Sequence, residues 1–404
     1  MAAEGNPGPD TIEFNMTFPA AIALACPFPT ITESLAIAGP GPDKLTINVD
    51  DPAVFNTSQI FDINARSKAK EGYDISSLTL DGSLVRDNVD LLRGNRATGN
   101  SYDKLTVGYV LFTALGGENS NSLNNKGGGI YYTSMTLTVK QSAFYKIRIT
   151  TAGAEGVAIY SLSSWALQIY ATRFEKNVSG TGAVVVAFNT HEFGKSYIRA
   201  SSFTENITLG LGVSNVPQDS ALVLGPKGTF LIENSTFSGN KSGFAGSGAI
   251  NLTYSNPSSP SSYVKFRNVT ISDNIDKFGG GIGIVVDDID FDSYNSIFAN
   301  HNTLDCFINQ SSNYSGEYNI ESSDNCDFNP VSGTNMQFTD PKLAPPTVNG
   351  GYNNSTPIGC TFKQAPITPG SPGVDAGDDP TCAHTDQRGF VRPSPTDIGA
   401  YELF

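Results

Sequence analysis

The sequence predicts an all-β fold, a right-handed parallel β-helix closed by an irregular, disulfide-stapled C-terminal cap. Three observations carry this reading. A phrase recurs in which Phe or Ile is followed three residues later by Asn: Phe174 to Asn177, Phe203 to Asn206, Phe237 to Asn240, Ile271 to Asn274 and Ile297 to Asn300. Successive anchors are 29, 34, 34 and 26 residues apart, so each unit is too small to bury its own apolar face and must stack on its neighbours. Finally, apolar and polar residues alternate seven positions before each anchor, as in Leu137-Thr138-Val139, Leu167-Gln168-Ile169 and Val264-Lys265-Phe266. A period of two sends one row of side chains inward and one outward. A β-propeller is the competing architecture, but its blades run to ~40 residues.

Each element follows from this frame. The β-runs begin at Leu105, Leu137, Leu167, Phe230, Val264 and Asp290. No stretch carries a capped apolar stripe of helical period, so helices are short and few. Gly-rich patches between the runs (Gly127 to Ile130, Gly156 to Ile159, Gly182 to Val185, Gly248 to Ile250, Gly279 to Ile282) mark sharp corners where positive φ is tolerated. Asn177, Asn206, Asn240, Asn274 and Asn300 then read as a structural ladder of stacked amides along the helix axis, and the anchor Phe residues as an interior aromatic column. Residues 1–82 form opening coils, 83–304 the regular repeats, and 305–404 a last coil and a Pro- and Gly-rich cap. Insertions at 189–194, 209–219 and 255–262 fall between strands and are expected to protrude.

Composition excludes several function classes. The net charge of −14, from 25 Lys+Arg against 39 Asp+Glu, opposes binding to nucleic acid or anionic lipid. No apolar run is long enough to span a membrane. The first residues, Met1 to Asn6, are polar and do not read as a signal peptide. Of five cysteines, Cys306 with Cys326 and Cys360 with Cys382 would each close a loop of ~20 residues, worth ~3 kcal/mol apiece; disulfides imply an oxidising compartment. Cys26 reads as a buried free thiol. With no Cys-x-x-Cys and three His, a zinc site is not expected. Several Asn-x-Ser/Thr sequons, Asn234 and Asn268 among them, point to glycosylation, although in a chain this rich in Asn, Ser and Thr chance accounts for most.

The tail residues Ser371 to Gly377, Thr385 to Gly389, Arg392-Pro393 and Asp397 to Glu402 resemble the C-terminal signature of bacterial choice-of-anchor Q proteins. The opening Asn6 to Phe14 and the Gly-Gly-Gly-Ile and Phe-Ser-Gly-Asn phrases are similar to that family as well. The pairing of Gly-rich and Phe-x-x-Asn phrases also resembles, more loosely, the passenger repeats of chlamydial polymorphic outer-membrane adhesins. The resemblance implies a secreted or cell-surface β-helix and no particular reaction. The upstream Cys-containing segment and the anchoring signal of that family have no counterpart here, so surface attachment is not implied.

Two clusters bear chemistry. Asp288, Asp290 and Asp292 alternate, so on a strand their carboxylates would share the solvent face. They read as a solvated face, as a Ca²⁺ site, or as acids for glycan hydrolysis, with Lys265 and Arg267 about one repeat earlier. No cofactor is required; calcium is the one candidate. In the tail, Asp375, Asp378, Asp379, His384, Asp386, Arg388, Arg392, Asp397 and Glu402 read as Arg–carboxylate pairs pinning the cap. His191 and His301 look isolated, with no triad partner nearby in sequence. The expected function is an extracellular, non-catalytic structural, adhesive or self-assembling module. Its partners would be copies of itself, surface glycans or proteins. The alternative is a polysaccharide lyase or glycoside hydrolase, activities that share this pectate-lyase-like fold.

Overall fold

The computed structural model describes residues 9–50, 59–65, 72–83, 90–96, 103–113, 116–117, 127–133, 135–151, 153–162, 165–188, 194–211, 220–243, 247–253, 262–276, 281–301, 303–309, 312–323, 325–326, 328, 334–350 and 367–404. Every strand in these residues pairs in parallel with its equivalent in a neighbouring coil, and none of the described residues is helical. The chain is a parallel β-helix. One coil shows the plan: Thr229–Glu233 forms a first wall, Thr236–Ser238 a second, Lys241–Ser242 a two-residue ribbon, and Ser247–Thr253 a third wall. Leu231, for example, lies between Tyr197 of the preceding coil and Lys265 of the following one.

The alternation read from sequence builds these walls. In Tyr263–Arg267, Val264 and Phe266 are fully buried while Tyr263, Lys265 and Arg267 face outward. Inside, the predicted aromatic column exists: Phe112, Phe144, Phe174, Phe203 and Phe237 stack with centroids 4.5, 4.9, 4.4 and 4.5 Å apart. Each such pair adds about 0.5–1.5 kcal/mol beyond the area it buries. Glycine marks the corner at Gly156 (φ +61), where a Cβ would lie 2.6 Å from the Ile159 carbonyl oxygen. Other corners dispense with it: Ala171, Lys176, Ala200 and Glu205 all adopt φ near +50°.

The last coils depart from the expected register. Ile271 pairs with Phe298 and Thr270 with Ile297, so Phe298 is the interior anchor and Ile297 faces out. The ladder position three residues on is therefore His301, not Asn300. Past 304 a further coil runs through Leu304–Ile308, Tyr314–Glu317 and Ile320–Glu321. Cys306 and Cys326 form the expected disulfide, and beside it the fully buried Phe328 packs on Phe291 and Phe298. Cys382, by contrast, is a free thiol that donates to Asn268 Oδ1 (3.2 Å), so it does not form the expected second bridge; Cys360 lies outside the described residues. Cys26 is free but exposed rather than buried.

The segment after Gly370 runs back along the flank of the solenoid instead of only covering its end. It is held by three asparagines at successive left-handed corners between the first and second walls: Asn234 (φ 48), Asn268 (φ 53) and Asn295 (φ 51). Asn234 donates to the Thr385 carbonyl and accepts from Arg392, Asn268 accepts from the Ala383 amide, and Asn295 accepts from the Asp378 amide. Asn tolerates αL and keeps its amide free to bridge. The sequon asparagines Asn234 and Asn268 are thus spent on the tail, with 4% and 0% exposure, and do not serve as glycan acceptors.

Candidate functional site

The ladder is a continuous amide chain through the interior corner. Asn177 Nδ2 donates to Asn206 Oδ1, Asn206 Nδ2 to Asn240 Oδ1, and Asn240 Nδ2 to Asn274 Oδ1, each at 2.9 Å. Every Nδ2 also donates to the carbonyl of the Phe anchor one coil back, as Asn240 does to Phe203 (2.9 Å). Asn274 Nδ2 then meets His301 Nε2 at 3.3 Å, while His301 Nδ1 lies 2.9 Å from Asp305 Oδ1. Because Asn274 Oδ1 already accepts from the Asn240 amide, its NH₂ faces the imidazole, and the His301 proton sits on Nδ1. His301, expected to be isolated, therefore has a carboxylate partner four residues on. Burial pushes Asp305 up, but hydrogen bonds from His301 and Ser323 outweigh it and hold the carboxyl below its ordinary value. The imidazole is fully enclosed, so this pair closes the ladder rather than reaching a substrate. Asn300 is exposed at a left-handed corner (φ 60), off the ladder.

The acidic run is separated by its corner. Asp288 sits at φ +55 between the third and first walls, whereas Asp290 and Asp292 share the outward face of Asp290–Tyr294. Each of these two is engaged across coils: Asp290 Oδ1 accepts from Asn313 Nδ2 (2.8 Å), and Asp292 accepts from the hydroxyls of Tyr263 (2.5 Å) and Ser315. Burial, and then the hydrogen bond to Asp292, raise the Tyr263 phenol well above its usual value, so it remains a protonated donor. Among the described residues no three His, Cys, Asp or Glu side chains group to hold a metal ion.

What these carboxylates belong to is a lane across the outer face of the first wall. Parallel register carries it through Tyr197 and Arg199, Leu231 and Glu233, Tyr263, Lys265 and Arg267, then Asp290, Asp292 and Tyr294. Four coils at about 4.8 Å give a lane about 14 Å long. Glu233 bridges two cations, Arg199 (3.4 Å) and Arg267 through Nε (2.6 Å). Arg199 lies 4.8 Å from the Tyr197 ring centroid and Lys265 4.5 Å from that of Tyr294. Sequence reasoning found the two acids of this lane but not its tyrosines, whose only sign was an outward position in the alternation.

The charged tail cluster is a clasp. Arg388 pairs with Asp386 and lies 3.7 Å from the Tyr401 ring centroid. Arg392 reaches Glu402 (2.6 Å), the Gly399 carbonyl (2.7 Å) and Asn234 Oδ1 (3.3 Å). The Arg392 backbone amide donates to the His384 carbonyl. Asp378 and Asp379 bond Thr381, Ser394 and Thr396 nearby, and Asp397 accepts from the Asp375 amide. His191 lies outside the described residues.

No family model matches the chain, and no curated protein matches it. Among solved structures the chain is similar to the A-module of the mannuronan C-5 epimerase AlgE4 of Azotobacter vinelandii. That likeness is 15% identical, covers 79% of this chain and 84% of that one, and has a TM-score of 0.35.

Proposed function

We propose that this chain is a non-catalytic extracellular module that binds neutral glycan chains along the outer face of its first wall. The observation that carries the reading is the lane of Tyr197, Tyr263 and Tyr294 on one rigid sheet face, within four consecutive coils. Aromatic rings offer apolar platforms with polar tips, and the fixed charges between them present donors and acceptors to hydroxyls. Those charges are engaged within the lane: Arg199 and Arg267 with Glu233, Asp292 with the Tyr263 hydroxyl, and Lys265 with the Tyr294 ring. The engagement of these groups with one another favours binding over lyase or hydrolase chemistry. The Cys306–Cys326 bridge supports an oxidising, extracellular setting, as does the resemblance of the tail to choice-of-anchor Q proteins.

The test is titration of the intact protein with neutral and uronate oligosaccharides, reading affinity and reducing ends together. Neutral oligomers should bind, and Tyr263→Ala or Tyr294→Ala should each weaken them about tenfold, or 1.4 kcal/mol. Retention of no glycan, binding indifferent to both variants, or accumulating reducing ends would each sink the reading.

A further inference from the structure

The two ends of the solenoid differ. The C-terminal end is closed by Phe328, the Cys306–Cys326 bridge and a partial coil whose Met336 and Thr339 amides bond Asn319 and Glu321. At the N-terminal end, among the described residues, Asp10–Glu13 pairs only with Leu35–Ala38, and Ala20–Leu24 only with Leu45–Val49. The Asp10 amide bonds the Ser34 carbonyl, and the Ala20 amide bonds that of Lys44. In a parallel ladder alternate residues point each way, so the N–H and C=O groups of Thr11, Glu13, Ala21 and Ala23 face out along an open edge. Behind that edge lies a cavity of about 370 Å³, lined by Ile12, Phe14, Ile22, Ile31 and Phe61 among others. Phe28, 37% exposed, stacks on Phe61 at 5.3 Å.

Backbone groups in a row beside an apolar floor suit an extended polypeptide, which alone supplies both a hydrogen-bonding edge and alternating side chains. Charge identifies the kind. Asp10 and Glu33 line the cavity, Glu13 stands on the edge strand, and among the described residues neither Lys nor Arg lines it. A second copy would bring the same carboxylates against these, on a chain of net charge −14. We propose that this mouth is a strand-acceptor site for an extended segment of a partner protein, with alternating apolar residues flanked by Lys or Arg. The proposal is independent of the glycan lane.

The experiment uses the full chain and a short peptide alternating Val and Thr between terminal Lys residues, with a Glu-flanked twin, read by residue-resolved amide exchange. The Lys peptide should slow exchange at Thr11, Glu13, Ala21 and Ala23 by about tenfold or more, and the Glu twin should not. The surface double variant Asp10→Lys/Glu33→Lys should reverse that preference while leaving exchange elsewhere unchanged. Protection by neither peptide overturns the proposal, and so does equal protection by both. It also fails if the protein sediments as a dimer with these amides already protected, which assigns the mouth to a second copy. Peptide protection that appears only after deleting residues 1–8 assigns it to the chain's own leading segment. Laurate binding in the cavity without peptide protection assigns it to a lipid-like ligand.

Discussion

Replacing Asn240 by Ala tests whether the amide ladder holds the coils together or merely lines a corner. Asn240 Oδ1 accepts from the Asn206 amide N–H (3.2 Å) and from Asn206 Nδ2, while its Nδ2 donates to the Phe203 carbonyl and to Asn274 Oδ1. Truncation strands the buried Asn206 backbone N–H, costing about 1–3 kcal/mol, and removes the side-chain bond to the Phe203 carbonyl and two amide–amide bonds besides. We expect a loss of roughly 3–5 kcal/mol. Asn240→Asp keeps the acceptor but turns an oxygen toward the Phe203 carbonyl and Asn274 Oδ1. It should cost more than Ala at pH 7, and the gap should narrow in acid as the carboxyl gains a proton. Because coils couple to their nearest neighbours, the assay pairs urea unfolding with exchange at the Asn206 amide, which should accelerate before more distant coils respond. Asn300→Gly, at an exposed left-handed corner, is the control and should change stability by no more than about 0.5 kcal/mol. A loss under about 1 kcal/mol for Asn240→Ala, with Asn206 exchange unchanged, would refute the reasoning.

Arg392→Met should release the tail, since it leaves the buried Glu402 carboxyl group and the Gly399 carbonyl without their donor. The expected cost is about 3–5 kcal/mol, read as protease cleavage between Gly370 and Phe404 before the solenoid is cut. Cys306→Ser opens a loop with a sequence separation of 20 and should cost about 3 kcal/mol, visible as a lower unfolding midpoint that reductant no longer shifts. Burial pushes Asp90 up to about 7 against Arg93, and Glu402 up to about 7 against Arg392. Their native forms hold protons that the unfolded chain releases near pH 4, so the stability these groups favour is complete in acid and declines as pH rises from about 4 to 7. The urea midpoint should therefore be higher at pH 5 than at pH 8, and Asp90→Asn should flatten that slope. Asp305 works in the opposite sense, contributing stability that is lost as pH falls below the ordinary Asp value.

Much of the architecture was legible because it is local. Alternation of period two fixes which side chains enter the core, and a repeat near thirty residues fixes that coils must stack. The interior column from Phe112 to Phe237 and the ladder from Asn177 to Asn274 follow from those rules alone. Of the candidate site, sequence supplied Asp290 and Asp292 but not Tyr197, Tyr263 or Tyr294. An outward Tyr looks the same as any polar-face residue until the coils align it with Arg199, Lys265 and Asp292.

The tertiary structure decided what local pattern leaves degenerate. Ile297 and Phe298 are adjacent and both apolar, so either could serve as anchor. Packing chose Phe298 for the interior and placed Ile297 under the tail, in a cluster with Ile320, Ile367 and Ile398. That one-residue shift put His301 rather than Asn300 at the end of the ladder, opposite Asp305. Likewise Asn234, Asn268 and Asn295 carry no sign in their own neighbourhoods of docking a segment about 80 to 150 residues away. Such contacts are selected by three-dimensional complementarity between corner amides and tail backbone. The amino-acid sequence specifies each coil, and only the folded chain brings the flank and the tail together.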